Sequence, residues 1–193
     1  MKGFLARLAT YPFRLAWRAV FGTAAERKGR RAELRVIRKL EGRGIPCLHD
    51  VYVKHKNGVW TQVDVICFLG DRIGVIEVKD YSGVTRVVPA EAVWKVSYGL
   101  FRSHGMRNPL WQNAKHIKAL KGRFPGAWYE NAVALMGRAR GSAENVWNGV
   151  PDWMPAPEKR AAREAWDAIV EHDRSMDKGW AGKEHMAWIR KRI

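Results

Sequence analysis

Hydrophobic and polar residues alternate most regularly in the middle of the chain. Two segments rich in β-branched residues, 58–69 and 72–79, flank the dipeptide Gly70-Asp71. A glycine-containing dipeptide between two such segments is typical of a two-residue hairpin turn. The pattern therefore predicts an antiparallel hairpin at the centre of the fold.

Helical periodicity borders this hairpin on both sides. A helix is predicted over 28–41, and Glu33 is its one acidic residue on the stripe formed by Val36, Ile37 and Leu40. A second helix is predicted from Asn108-Pro109 to about Lys121, because Asn is a favoured N-cap and Pro suits the first helical turn. Its predicted apolar side is Leu110, Ala114, Ile117 and Leu120.

Shorter apolar segments predict the remaining strands. They lie at 46–53, 84–88, 93–97 and 128–136, and the last is expected beside the hairpin. The basic segment 98–107 is predicted to be a loop that could grip phosphates through Arg102, His104 and Arg107. These elements predict an α/β (α+β) fold with a mixed sheet and an α-β-β-β-α-β core.

Composition divides the chain into three parts: an N-terminal amphipathic helix or arm at 1–22, a domain at 23–150, and a helical extension at 151–193. Arginines interrupt every apolar run of the first part, so a membrane span and a secretory signal both fit poorly. A packed helix, a membrane-surface anchor and a DNA-contacting arm remain open for it.

The helical extension begins with a proline-containing stretch at 153–157, which is either a linker or an extended packing segment. A helix follows it, with core spacing at Ala162, Ala165, Trp166 and Ile169. A short last helix is predicted around Met186, Trp188 and Ile189.

Net charge and cysteine content indicate which class of partner and which cellular compartment to expect. The chain has 35 Lys and Arg against 19 Asp and Glu, a net charge of +16. Such an excess favours a polyanion, either nucleic acid or an acidic membrane surface. Cys47 and Cys67 lack metal-binding spacing, and Cys67 is predicted to be a buried free thiol. We therefore expect a reducing compartment, the cytoplasm, with the inner face of the membrane as an alternative location.

The register of the predicted hairpin brings candidate catalytic side chains together. A turn at Gly70-Asp71 places Asp64 directly opposite Glu77, and Gln62 opposite Lys79, on one face of the sheet. Two opposed carboxylates should share a proton or bind a cation. Oxygen ligands of this kind suit a hard divalent ion such as Mg²⁺.

The order of these residues resembles the nuclease-related domain (NERD) family of the PD-(D/E)XK nuclease superfamily. The resemblance runs from about Lys28 to about Met136 and rests on Glu33, Asp64, Glu77-Val78-Lys79, and Asn108-Pro109 followed by Gln112, Asn113 and His116. The family usually has Gly before its first acidic residue, whereas this chain has Ala32.

This resemblance implies a restriction-endonuclease-like fold and a Mg²⁺-dependent nuclease, with Mn²⁺ as a substitute, that hydrolyses phosphodiester bonds in DNA or RNA. Asp64, Glu77 and the Val78 carbonyl would hold the ion, while Lys79 would orient or deprotonate water. Glu33 and Gln112 complete the implied catalytic set. We expect no small-molecule cofactor.

Two further residues, Lys115 and His116, join the segment 98–107 as candidate nucleic-acid contacts. Two alternatives to a nuclease remain open. One is a nucleic-acid-binding module with weak or no catalysis. The other is a peripheral membrane protein anchored through residues 1–22.

Overall fold

The computed structural model describes residues 24–178, so the predicted elements at 1–22 and around Trp188 lie outside the described residues. Three helices and nine strands occur in the described part of the chain. In chain order they are α1 (Ala24–Glu41), β1 (Cys47–Lys54), β2 (Trp60–Phe68), β3 (Ile73–Lys79), β4 (Val84–Arg86), β5 (Val93–Tyr98), β6 (Arg102–Arg107), α2 (Pro109–Arg123), β7 (Tyr129–Leu135), β8 (Arg138–Arg140), β9 (Val146–Asn148) and α3 (Arg160–Lys178).

The strands form two mixed sheets. The first has the order β1-β2-β3-β7-β9, with β2 antiparallel to β3 and β7 parallel to both β3 and β9. The second sheet has the order β6-β5-β4-β8. The predicted α/β fold with a mixed sheet is confirmed, and its core is consistent with a restriction-endonuclease-like architecture. Strand β7 lies beside the hairpin, as predicted.

Helices cover both faces of the first sheet. Ile117 and Leu120 of α2 and Trp166 of α3 pack with Ile66 and Val75 on one face. On the other face, the stripe of α1 packs against the β1–β3 hairpins, as predicted; it consists of Val36, Ile37 and Leu40. Strand β3 is therefore buried on both faces, which explains its nearly continuous apolar sequence.

The turn of the central hairpin has the predicted two-residue form. The Leu69 N–H donates to the Arg72 carbonyl at 3.0 Å, and Gly70 has a φ of +95°. A side chain at Gly70 would also collide with the Ala156 carbonyl, since a Cβ there would lie 1.9 Å from that oxygen. The Ala156 N–H donates to the Leu69 carbonyl at 2.7 Å, so 153–157 is an extended packing segment and not a linker.

The prediction of a loop over 98–107 is wrong. Residues 102–107 form β6, which pairs antiparallel with β5 along its whole length, and Gly99 adopts a φ of +66° in the connecting turn. Strand β6 lies at the edge of the second sheet, and Met106 is its one buried residue. An edge strand with so little burial carries no apolar alternation, which is why its sequence resembles a loop. Strands β8 and β9 were not predicted either.

Both cysteines are buried free thiols, which confirms the prediction for Cys67. They are direct partners in the pairing of β1 with β2. No helix among residues 24–178 is long and apolar enough to cross a membrane.

Candidate active site

Asp64 lies where β2 and β3 separate. Their pairing has the predicted register and runs from Phe68–Ile73 to Val65–Ile76. One position further on, the carboxylate of Asp64 accepts a hydrogen bond from the Val78 N–H at 2.9 Å. A side chain thus satisfies the backbone donor that the neighbouring strand would otherwise satisfy.

Three carboxylates influence one another at this point. Burial raises the pKa of Asp64 well above its usual range, and the charges of Glu77 and Glu33 raise it further. The Val78 N–H and the Lys79 ammonium offset only part of this effect. The structure therefore brings Glu33 of α1 close enough to act on Asp64, and the positive charge present is too small to offset the three carboxylates.

Glu77 is 1% exposed and lies between Lys79 and His116. Lys79 Nζ donates to Glu77 Oε1 at 2.5 Å and to Gln112 Oε1 at 3.2 Å. Burial acts to raise the pKa of Glu77, but His116 and Lys79 outweigh it and the net pKa is lowered. Burial likewise acts to lower the pKa of Lys79, yet Glu77 and Asp64 raise it overall, so Lys79 is an ammonium at neutral pH.

His116 approaches Glu77 from the opposite side. Its Nε2 lies 3.3 Å from Glu77 Oε2, and its Nδ1 lies 2.7 Å from the Thr61 hydroxyl. Both Glu77 Oε2 and His116 Nε2 are buried without another hydrogen-bond partner. The sequence signal for His116 was its spacing of four from Gln112, whereas nothing in the sequence pointed to Thr61.

Helix α2 is fixed above β3 by buried asparagines. Asn108 Oδ1 caps the helix by accepting from the Leu110 N–H at 2.9 Å. Asn113 is fully buried and donates to the Val75 carbonyl at 2.7 Å and to Asn131 Oδ1 at 2.8 Å. These bonds hold Gln112 and His116 over the site. Ala114, predicted on the apolar side, is exposed because Asn113 takes the buried position.

Other predicted residues lie apart from this cluster. Gln62 donates to Asp50 and pairs with Tyr52 of β1, whereas its predicted position opposite Lys79 lies beyond the β2–β3 pairs, which end at Val65–Ile76. Lys115 is exposed on α2. The three residues predicted to grip phosphates are exposed on β6: Arg102, His104 and Arg107. His116 is instead 7% exposed and faces the acidic cluster.

The donor set fits a hard divalent cation that keeps water ligands. No three His, Cys, Asp or Glu side chains within 24–178 converge into a ready-made metal cage. Mg²⁺ typically takes only one or two protein carboxylates, together with waters and substrate phosphate. The mutual repulsion of Asp64, Glu77 and Glu33 is what such a cation would relieve.

Comparisons with known proteins agree with the order of these residues. The family model described as "nuclease-related domain" matches residues 28–136, which is more than half of the chain. An uncharacterized protein of Bacillus anthracis is 34% identical over 94 residues, which cover 48% of this chain and 43% of that protein. This chain thus spans less than half the length of that relative. No solved structure matches the chain. With Glu33, Asp64, Glu77, Lys79 and Gln112 all inside the matched range, the chain belongs to the nuclease-related domain family.

Proposed function

We propose that this protein is a metal-dependent nuclease that hydrolyses phosphodiester bonds in DNA. One observation carries the proposal: Asp64, Glu77, Lys79 and Gln112 meet where β3 leaves β2 and α2 begins. Two neighbouring carboxylates repel a phosphate unless a bound cation lies between the carboxylates and the phosphate. A protein that only binds nucleic acid has no need of this arrangement.

Asp64 and Glu77 would hold the ion, with the Val78 carbonyl as a third oxygen. When bound, a divalent ion lowers the pKa of a coordinated water and neutralises charge that develops on phosphate oxygens.

The surrounding residues hold Glu77 in its charged form and keep both acids in position. His116 and Lys79 keep Glu77 ionised. Lys79, itself charged, is a donor for a substrate phosphate oxygen and not a base in this state. The carbonyl oxygen of Gln112 accepts from Lys79, and its amide would orient the attacking water.

The first test is a gel assay of the full chain on linear and circular DNA, with and without Mg²⁺. Glu77→Ala and Lys79→Ala should each lower the cleavage rate by a factor of about 100 or more while retention of DNA stays nearly intact. Glu158→Ala and Lys118→Ala are matched controls, because both residues are exposed and lie outside the cluster. Cleavage that persists in both test variants, or in excess chelator, would locate the chemistry elsewhere.

A second candidate is nucleic-acid binding without hydrolysis. It is favoured by the contacts that Glu77 already makes with Lys79 and His116, because both are formed without a metal. Under this alternative, no divalent ion would support cleavage. Glu77→Ala would then leave DNA retention unchanged or strengthen it.

A further inference from the structure

The second sheet carries positive charge and no carboxylate. Its four strands, VTR, VWKVSY, RSHGMR and RAR, contain neither Asp nor Glu. Six of their residues are exposed cations: Arg86, Lys95, Arg102, Arg107, Arg138 and Arg140. Charge complementarity therefore selects a polyanion as the partner of this sheet.

The β5–β6 hairpin of this sheet ends in a bare apolar tip. Leu100 is 92% exposed and Phe101 is 99% exposed. Gly99 precedes them with a φ of +66°, and the pair Tyr98–Arg102 closes the turn. Nothing in the described fold covers the Phe101 ring, so packing does not account for an aromatic residue at this position.

A row of rings connects this tip to the rest of the sheet. The exposed His104 ring lies 5.5 Å from the Tyr98 ring at an interplanar angle of 21°, and 5.2 Å from the Tyr81 ring. The Arg102 guanidinium lies 5.8 Å from the Tyr98 ring. Flat rings next to arginine are the side chains on which nucleic-acid bases stack.

Two residues, Tyr81 and Arg107, link this surface along the chain to the candidate active site. Tyr81 follows Lys79 by two residues, so the row of rings begins beside the cluster. Arg107, the last residue of β6, precedes Asn108, which caps the helix that carries Gln112. A strand of nucleic acid lying along the rings would thus reach the acidic cluster.

We propose that the β5–β6 hairpin is a base-stacking element that selects nucleic acid with unpaired bases, such as single strands, flaps and frayed ends. The inference rests on the proposed nuclease function for its biological meaning. Bases inside a duplex have both faces covered by neighbouring pairs, whereas unpaired bases can stack on exposed rings. Insertion into a membrane is less favoured, because the tip offers only two apolar residues. The rings behind it are tyrosine and histidine side chains with polar atoms, and they lie beside Arg102.

The experiment measures binding of a fluorescently labelled single-stranded oligonucleotide and of a covalently closed duplex to the full chain, in excess chelator. Phe101→Ala should weaken single-strand binding by roughly 5- to 100-fold, the range for losing one stacked base. It should change duplex binding by less than about 2-fold, since phosphate contacts are retained. Phe101→Trp should preserve single-strand binding, and Phe101→Leu should not.

Trp128→Ala is the matched control. Trp128 is also an exposed aromatic residue beside a cation, being 69% exposed with Lys121 Nζ 5.7 Å from its ring. It immediately precedes Tyr129, which pairs with Ile73 at the opposite end of β3 from Lys79. Its removal should leave single-strand binding unchanged.

Several results would overturn the inference. These are unchanged single-strand binding by Phe101→Ala, full rescue by Phe101→Leu, or a Phe101-dependent affinity for phosphatidylserine vesicles but not for oligonucleotides. Cleavage is scored separately. A protein that binds single strands through Phe101 but cuts nothing keeps this inference and loses the proposed function. A protein that cuts DNA but binds single strands equally well without Phe101 keeps the proposed function and loses this inference.

Discussion

Replacing Asp64 with Asn tests whether the acidic cluster is built for a cation that the folded protein itself does not supply. Asn keeps the size of the side chain and an oxygen that can accept from the Val78 N–H. It removes a charge that burial, Glu77 and Glu33 all disfavour. Asp64→Asn should therefore stabilise the metal-free protein and, under the proposed function, abolish cleavage.

The expected size of this effect follows from the closeness of the two acids. The Asp64 carboxylate accepts from the N–H of Val78, the residue next to Glu77, and the charge of Glu77 raises the pKa of Asp64. Charges that shift a neighbouring pKa in this way typically lie about 6 Å apart. At an effective dielectric constant of about 20, that repulsion is worth about 3 kcal/mol. Lys79, at 2.5 Å from Glu77, offsets part of it. We expect a net gain of about 1–2 kcal/mol, or a rise in Tm of roughly 2–8 °C for a chain of this size.

Thermal unfolding in chelator at several pH values is the assay. An acid whose folded pKa is raised contributes full stability below its ordinary value of 3.8, and that contribution is lost as the pH rises toward the folded pKa. Glu77 acts in the opposite sense, because its pKa is lowered in the folded protein. Its contribution to stability is present above its ordinary pKa of 4.5 and is lost as the pH falls through the folded pKa. Subtracting the Asp64→Asn curve from the wild-type curve isolates the Asp64 contribution, which should become more unfavourable with rising pH.

The control is Asp71→Asn in the turn of the same hairpin. Asp71 lies 2.6 Å from Arg72 and is partly exposed, so its removal should change the free energy of unfolding by no more than about 1 kcal/mol, as a loss. A lower Tm for Asp64→Asn in chelator would refute the reasoning. Mg²⁺ should raise the Tm of the wild type and have little effect on Asp64→Asn, because only the first retains the ligand pair.

Three further predictions follow from the same contacts. His116→Ala removes a group that lowers the pKa of Glu77, so the acid limb of the pH–rate profile should move to higher pH; an unmoved limb would contradict that role. Asn113→Ala leaves buried carbonyls of β3 and β7 without a donor and should cost about 2–4 kcal/mol in urea unfolding, whereas the exposed Ala114→Gln should cost less than about 0.5 kcal/mol. Burial raises the pKa of Cys67, so a thiol reagent should modify it only after denaturation, and rapid labelling of the native protein would be incompatible with this packing.

Local patterns were sufficient to predict the central hairpin and its register. Gly70-Asp71 fixes the turn, and the alternation of β2 then leaves one choice of face for Asp64. The cap of α2 was equally local, because Asn108 and Pro109 carry the signal themselves. The resemblance to the nuclease-related domain added Glu33 and Gln112, which no periodicity would have associated with the hairpin.

Features that depend on distant pairing could not be predicted in the same way. Strand β6 acquires its conformation from β5 and buries only Met106, so its own sequence indicates a loop. Asn113 looks like a surface residue until β3 and β7 present carbonyls to it. Thr61 joins the site because α2 brings His116 across β2. Each of these contacts joins residues that are far apart in the sequence, so patterns within short segments do not indicate them.

Under the proposed function, substrate choice and hydrolysis should be separable, because the row of rings and the acidic cluster are formed by different residues. Strand β3 ends at Lys79 in the acidic cluster, and the chain continues at once through Tyr81 into the row of rings. Phe101 is at the far end of that row and, within the described residues, contacts no member of the cluster. Under the proposed function, a Phe101→Ala variant should therefore show a raised KM for single-stranded substrate with kcat unchanged, whereas Lys79→Ala should lower kcat on every substrate. A fall in kcat for Phe101→Ala would mean that the stacked base also positions the phosphate that is cut.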